Sequence, residues 1–468
     1  MTQFKSMRLR KGLRFGIICI LIHISQTCAA QTLNLYDAVN KTLTNYPAIK
    51  QRQAEVALGK AHINTVNAYR LPSLKVMDEI NAGTSNSLPG DYFPLGSIPS
   101  TSGSIRSTNK YDVTSGNIAL SYLDWPLYTF GYYNAIKKDA QAALATTQAE
   151  LTSDEYLLSQ NVVSLYLDWL KKYRLLQIET ENLDRAQTIL NAITATVRSG
   201  LKPGVDSSTA IAEYSKDRIS YLQALNSYTA DRISIAMYTG MDTTRIVPDT
   251  SITQNLVLRT NIIPTDSISI SHPLLNVYQK QYQQQLTENK AIARQYMPKF
   301  SLEGAGWMRG SSISNNDIYA SDLSKGLAYS RYNYLFGLSL SYNLFDLKHR
   351  HDEIVEGKYL AKAKQEALYN QQLSLNATLQ QVNASYTNTL DKLKELPNAL
   401  RSSQMAYTQQ MALYRSGLNT LIDVTNALYV LKQTETDVVL TQDDLLQLLY
   451  MRAGLSNQLD LFLQHFKQ

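Results

Sequence analysis

Hydrophobic and polar positions follow two alternating periods along this chain, and the same succession occurs twice. A polar, Gln/Ala-rich stretch with helical period begins at Tyr46-Pro47 and stops at Leu71-Pro72; another begins at His272-Pro273 and stops at Met297-Pro298. Proline at the first helical position and proline just past the end punctuate the same helix in both copies. After each stop the period changes to two. Ser73-Leu74-Lys75-Val76 alternates, as does Phe300-Ser301-Leu302-Glu303-Gly304. Gly/Ser/Asn-rich stretches follow, over 83–116 and 309–332, and read as loops facing outside the cell if the strands span a membrane. Alternation resumes in Ile118–Tyr122 and Tyr334–Tyr342, so each copy predicts a hairpin of two strands around a long polar loop. In the second strand of each hairpin one face is large and apolar: Ile118, Leu120 and Tyr122 in the first, and Tyr334, Phe336, Leu338, Leu340 and Tyr342 in the second. A half-buried sheet in a soluble protein and a membrane strand with an aromatic belt (Tyr122, Trp125, Tyr128) both read this way.

Each hairpin is followed by a very long helical pattern, over 132–199 and over 349–416, 68 residues in both cases. Fully helical, each would reach about 100 Å, more than a globular core needs. Leu176, Leu183, Ala186, Leu190, Ile193 and Val197 form a coiled-coil seam in the first. Pro397 lies inside the second and predicts a kink or local break. Both end in the same words, Arg198-Ser199-Gly200-Leu201 and Arg415-Ser416-Gly417-Leu418, with an aspartate six residues after each glycine at Asp206 and Asp423. Glycine past the last helical residue is a helix stop. A returning helix then carries Leu421, Val424, Leu428 and Leu431 on one seam.

The charge balance changes once the start of the chain is set apart. Lys5, Arg8, Arg10, Lys11 and Arg14 precede the apolar run Phe15–Ile24, and small residues follow at Cys28-Ala29-Ala30. This is the pattern of a secretory signal over residues 1–30, too short in its apolar part to span a bilayer. Cleavage after Ala30 takes the net charge from +6 to +1, which gives no argument for nucleic acid as a partner. It also removes Cys19 and Cys28, the only cysteines, so the mature chain has no thiol or disulfide. A lipid anchor on Cys28 is the alternative; Ser25-Gln26-Thr27 before it lacks the aliphatic residue such a site usually has. No apolar run of 18 residues occurs after residue 30, so any membrane crossing would use strands.

Two tandem copies of short helix, hairpin, long helix, Gly-Leu turn and return helix resemble the TolC family of outer-membrane channel proteins, over nearly all of 32–456. The resemblance implies a mixed α/β membrane protein whose tandem-repeat protomer gives four strands to a trimeric 12-stranded β-barrel, with a long helical coiled-coil tunnel across the periplasm of a Gram-negative bacterium. It implies a homotrimer set in outer-membrane lipid, docked to a periplasmic adaptor and an inner-membrane transporter. The expected divisions are a first repeat at 31–240, a linker at 241–271, a second repeat at 272–456 and a tail at 457–468. By the same resemblance the two Arg-Ser-Gly-Leu turns dock the adaptor, Tyr414 and Asp423 match the family's aperture residues, and Asp206 matches the aspartate of the other turn. Asn419 and Asn426 stand where the best-known pattern has Arg and a second Asp. The plain alternative for both aspartates is helix capping: Thr420-x-x-Asp423 is capping-box-like, and Asp206-Ser207-Ser208 reads as a cap.

No catalytic constellation, cofactor motif or phosphate loop is found. His349-x-His351-Asp352 falls where a strand hands over to a helix and reads first as a polar turn; His62 and His272 lie in polar helical stretches with no partner at i+4. The expected function is a passive exit duct for efflux, with a duct for protein secretion, or a non-conducting coiled-coil scaffold of the cell envelope, as the other readings.

Overall fold

The computed structural model describes residues 31–88, 105–200, 203–244, 246–253, 267–314 and 318–465. The expected signal, Cys28 and Leu201 lie outside them. In chain order the elements are β1 (Gln31–Leu33), α1 (Leu35–Asn45), α2 (Pro47–Ala68), β2 (Ser73–Gly83), β3 (Thr114–Tyr128), α3 (Tyr132–Arg198), α4 (Gly204–Thr239), β4 (Ile246–Pro248), α5 (Pro273–Gln295), β5 (Lys299–Ser311), β6 (Arg331–Ser341), α6 (Asp346–Arg415), α7 (Leu421–Leu455) and α8 (Leu459–Gln464). Two compact units share them: the described residues within 31–54, 148–278 and 367–465 form one, and those within 55–147 and 279–366 the other.

The second unit holds an antiparallel sheet of order β2-β3-β5-β6. Each hairpin supplies two neighbouring strands, and β3 pairs with β5 to join the two copies. The strands run well beyond the alternation read from sequence, because Gly- and Ser-containing ends such as Asn81-Ala82-Gly83 still fill ladder positions opposite Thr114–Gly116. Pro126 sits in β3 at an irregularity between Pro126 and Tyr128, where a missing donor is tolerated. After β5 the chain forms a short 3-10 turn, Leu323–Leu327, that packs on β3 and β5. Asn117 donates to the Leu327 carbonyl (3.1 Å) and Tyr329 Oη donates to Asp78 (2.9 Å).

The register corrects one reading of the faces. Leu120 stands opposite Trp307, which stands opposite Asn333; Ser121 stands opposite Gly306, which stands opposite Tyr334. Cross-strand partners share a face. Ile118, Leu120 and Tyr122 therefore lie on the face opposite to Tyr334, Phe336, Leu338 and Leu340. The two apolar stripes belong to different sides of one sheet, because the odd–even phase of each strand is set by pairing and not by its own pattern.

The first unit is built around Trp169, which is fully buried, stacks on Tyr228 at 6.3 Å and meets Tyr166 edge-on at 5.7 Å. Tyr166 Oη donates to the Leu33 carbonyl (2.6 Å) and accepts from the Asp249 amide (2.9 Å). That hydroxyl ties down a parallel pair, β1 with β4. The stretch 241–271, read as a linker, thus contributes a strand that pairs with Gln31–Leu33. Polar bonds link α3 to α7 and α4 within this unit. Arg185 makes a two-pronged bond to Glu435 (2.9 and 3.0 Å), Lys432 pairs with Glu179 and Asp217, and Lys171 with Asp443. Over 176–198 of α3 the buried positions are Asn182, Ala186, Ile189 and Ile193, while Leu183, Leu190 and Val197 flank them. The expected seam is right in period and rotated by about one residue. On α7, Leu421, Val424, Leu428 and Leu431 are all buried.

α6 runs unbroken through Pro397. Proline removes a single backbone donor, and the regular turns on either side keep the helix in register, so the local break does not occur. His272 is also placed differently from the expectation. It precedes α5 rather than lying on it, is fully buried, and caps the helix start: its Nδ1 accepts the Leu274 amide at 3.3 Å and its Nε2 lies 3.2 Å from Tyr156 Oη.

Candidate functional site

The two matching turns fold alike on the incoming side. Gly200 and Gly417 take φ of +72° and +76°, the left-handed region that glycine enters without strain. Gly200 donates to the Val197 carbonyl (3.0 Å) and Gly417 to that of Tyr414 (3.0 Å). Leu418 then donates to the Leu413 carbonyl at 2.9 Å, which completes a Schellman closure of α6. Arg198, Ser199, Arg415 and Ser416 are exposed around these glycines, and Leu418 is 73% exposed.

The outgoing sides differ. Three residues after Gly417, Thr420 caps α7 in a reciprocal box: the Asp423 amide donates to Thr420 Oγ1 (3.3 Å), and the Asp423 carboxylate accepts from the Thr420 amide (3.0 Å) and hydroxyl (2.6 Å). The hydroxyl bond first, then the amide bond, holds the Asp423 carboxyl below its ordinary range. Three residues after Gly200 stands Pro203, which offers no side-chain cap. Asp206 is therefore not the cap that Asp206-Ser207-Ser208 suggested. It lies in the first turn of α4, where a carboxylate complements the helix dipole, and it faces Tyr414. Burial first, and the Asp206 carboxylate next, push the Tyr414 phenol above its ordinary range. One aspartate is thus committed to its own helix start; the other bridges the turn of one repeat to the end of the long helix of the other.

Sequence reasoning missed Val205 and Ile422, which stand five residues after Gly200 and Gly417 and are 66% and 62% exposed. With Leu418 they leave apolar side chains in water at both turns. Superposing the two turns in sequence would have found the pair, since isoleucine and valine at matching exposed positions have no packing reason. The His349-x-His351-Asp352 cluster lies inside α6, which starts at Asp346, and Asp352 accepts from Lys348 at 2.6 Å. Among the described residues no group of three metal-ligating side chains converges.

The sheet separates its chemistry by face. One side carries Leu74, Val76, Ile80, Leu123, Phe300, Leu302, Phe336, Leu338 and Leu340, and its one charged residue, Asp78, accepts from Tyr329. The other side carries Lys75, Glu79, Asp124, Lys299, Glu303, Arg309 and Arg331. An apolar face opposite a charged one, with edge strands β2 and β6 each paired on one side only, is the pattern of a wall segment between lipid and an aqueous lumen. No described helix is long and apolar enough to cross a membrane.

The family model for outer membrane efflux proteins matches residues 38–241 and 269–449. The chain belongs to the outer membrane efflux protein family. Each matched stretch contains one Arg-Ser-Gly-Leu turn. The fold is shared with solved outer-membrane channels: Campylobacter jejuni CmeC (13% identity, TM-score 0.71, covering 91% of this chain and 86% of that one), Vibrio cholerae VceC (13%, 0.68, 91% and 95%) and Neisseria gonorrhoeae MtrE in its open state (14%, 0.66, 91% and 90%). No curated protein sequence matches. The chain is thus an outer membrane efflux protein with the fold of the solved channels.

Proposed function

We propose that three copies close their four-stranded sheets into one 12-stranded barrel, and that their helices form a tunnel through the periplasm that docks a periplasmic adaptor and, through it, an inner-membrane transporter. The observation that carries this is the open sheet with one apolar and one charged face. Strands β2 and β6 leave unpaired backbone groups at both edges, which hydrocarbon does not tolerate, and symmetry-related copies supply the missing partners. The turns at Arg198–Leu201 and Arg415–Leu418 are the docking points, supported by the exposed Val205, Ile422 and Leu418, whose burial by a partner removes apolar surface from water. The aperture is formed by Tyr414, Asp206 and Asp423. Tyr414 and Asp206 hold the end of α6 against the start of α4, and the Asp423 carboxylates of three copies face the passage.

The mature chain has no cysteine, so cysteine pairs placed one on β2 and one on β6 report inter-copy pairing alone. Trimers trapped by oxidation in outer-membrane preparations are expected. Monomers only, in crosslinking and in native mass measurement, refute the reading.

A further inference from the structure

We infer that the charged face of the sheet, the lumen wall under the proposed trimer, holds a site for amphiphilic organic anions near its outer end. The inference rests on that trimeric reading and adds the substrate class.

The register arranges this face in rows. One row runs Glu79, Ile118, Arg309, Arg331; the next, toward the helices, runs Met77, Leu120, Trp307, Asn333. Arg309 and Arg331 are direct cross-strand partners. Like charges in that position destabilise a sheet, so packing and pairing do not account for them. Among the described residues no carboxylate pairs with either arginine. The Arg309 side chain has no hydrogen bond or ion pair among the described residues, and Arg331 donates one bond, to the Ser330 carbonyl at 2.8 Å. Glu79 accepts from Asn81 (2.8 Å) and is separated from Arg309 by the Ile118 strand, about 10 Å away. The charges nearer the helices behave differently: Lys299 pairs with Asp124 at 3.1 Å, and Glu303 accepts from Ser339 at 2.6 Å. Lys75, nearer the helices, stands alone opposite Tyr122, so the outer row is the one where two cations without an ion pair among the described residues lie side by side.

The second row is apolar where a water-filled lumen calls for polar side chains. Trp307, Leu120 and Met77 sit side by side, with Leu335 one row further, 63% exposed. Guanidinium forks one register step, about 7 Å, from an aromatic and aliphatic shelf suit a molecule with an anionic head and an apolar body. A hydrated inorganic ion gains nothing from the shelf, and an organic cation is repelled by the arginines. Three copies would repeat the arrangement around the lumen, so a molecule leaving one site meets the next.

The test uses the full-length mature protein in lipid nanodiscs, with 5-(dimethylamino)naphthalene-1-sulfonate as probe. Binding is read as energy transfer from Trp307, taken as the part lost in Trp307→Phe. Saturable binding is expected, displaced by octanesulfonate and not by methanesulfonate. Arg309→Gln/Arg331→Gln should weaken it at least tenfold, and Arg309→Lys/Arg331→Lys should restore most of it. A probe of the same ring system bearing a trimethylammonium group should bind at least tenfold more weakly than the sulfonate. Equal binding of the cation, equal binding by the double glutamine variant, or equal displacement by methanesulfonate overturns the site. Native mass of the same nanodiscs separates the two ideas: a monomer refutes the trimeric reading, whereas a trimer without arginine-dependent binding refutes this inference alone.

Discussion

Acid should loosen this protein through His272 and tighten it through Asp443, and the two effects can be separated. His272 is fully buried, accepts at Nδ1 from the Leu274 amide, and so carries its proton on Nε2 toward Tyr156 Oη. The groups packed against it are neutral: Tyr156 edge-on at 5.1 Å, with Tyr450 beyond it. Burial lowers its pKa from 6.5 to about 4. Between those values the unfolded chain binds the extra proton, so stability falls as pH drops from 6.5 to 4 and stays low below that. The interval corresponds to about 3 kcal/mol per chain. Asp443 has the opposite sign. Burial raises it from 3.8 to about 6 against the pull of Lys171, so the folded chain takes the proton first and gains stability as pH falls from 6 to 3.8. In the wild type the two largely cancel. Unfolding entropy scales with length, which for a chain this long means about 1 °C per kcal/mol. Between pH 7 and 4.5, the apparent Tm of His272→Gln should change about 3 °C more favourably than wild type, and that of Asp443→Asn about 2 °C less favourably. The assay is a melt in mild detergent at fixed scan rate. A His272→Gln profile parallel to wild type within 1 °C refutes the buried neutral imidazole as a source of acid lability.

The face assignment is testable at neighbouring residues: Phe336→Arg should cost about 2–4 kcal/mol on the lipid side and lower outer-membrane yield, while Leu335→Arg, on the charged side, should be tolerated. Gly200→Ala and Gly417→Ala should each cost about 1 kcal/mol, read as apparent Tm, because both glycines have positive φ. At the aperture, Asp423→Asn should cost about 0.5–1 kcal/mol through its capping box and reduce cation selectivity in planar bilayers; Tyr414→Phe should raise resting conductance; selectivity unchanged in the first variant leaves Asp423 a cap alone. Glu435→Gln should destabilise by about 2–3 kcal/mol by leaving Arg185 half-paired and largely buried, read in the same melts.

Duplication, strand hairpins, two very long helices and their glycine stops were legible in the sequence, because each depends on spacing along one segment: proline at a helix start, glycine past an end, a period of two or of 3.6. The seam Leu421, Val424, Leu428, Leu431 was legible for the same reason. What needed the tertiary structure was every relation between segments. The phase of β3 against β6 follows from β5 lying between them, so no pattern within either strand could tell that Leu120 and Phe336 face opposite ways. The strand at 246–248 is too short to show a period and exists because β1 and the Tyr166 hydroxyl wait for it. His272 looked like one polar helix residue among many until the fold enclosed it. Asp206 and Asp423 occupy identical places in identical words, yet Thr420 engages one while Pro203 leaves the other to Tyr414, 208 positions away in the chain. Local chemistry writes the elements; which side chains are left unpartnered, and therefore available for function, is decided only when distant segments meet.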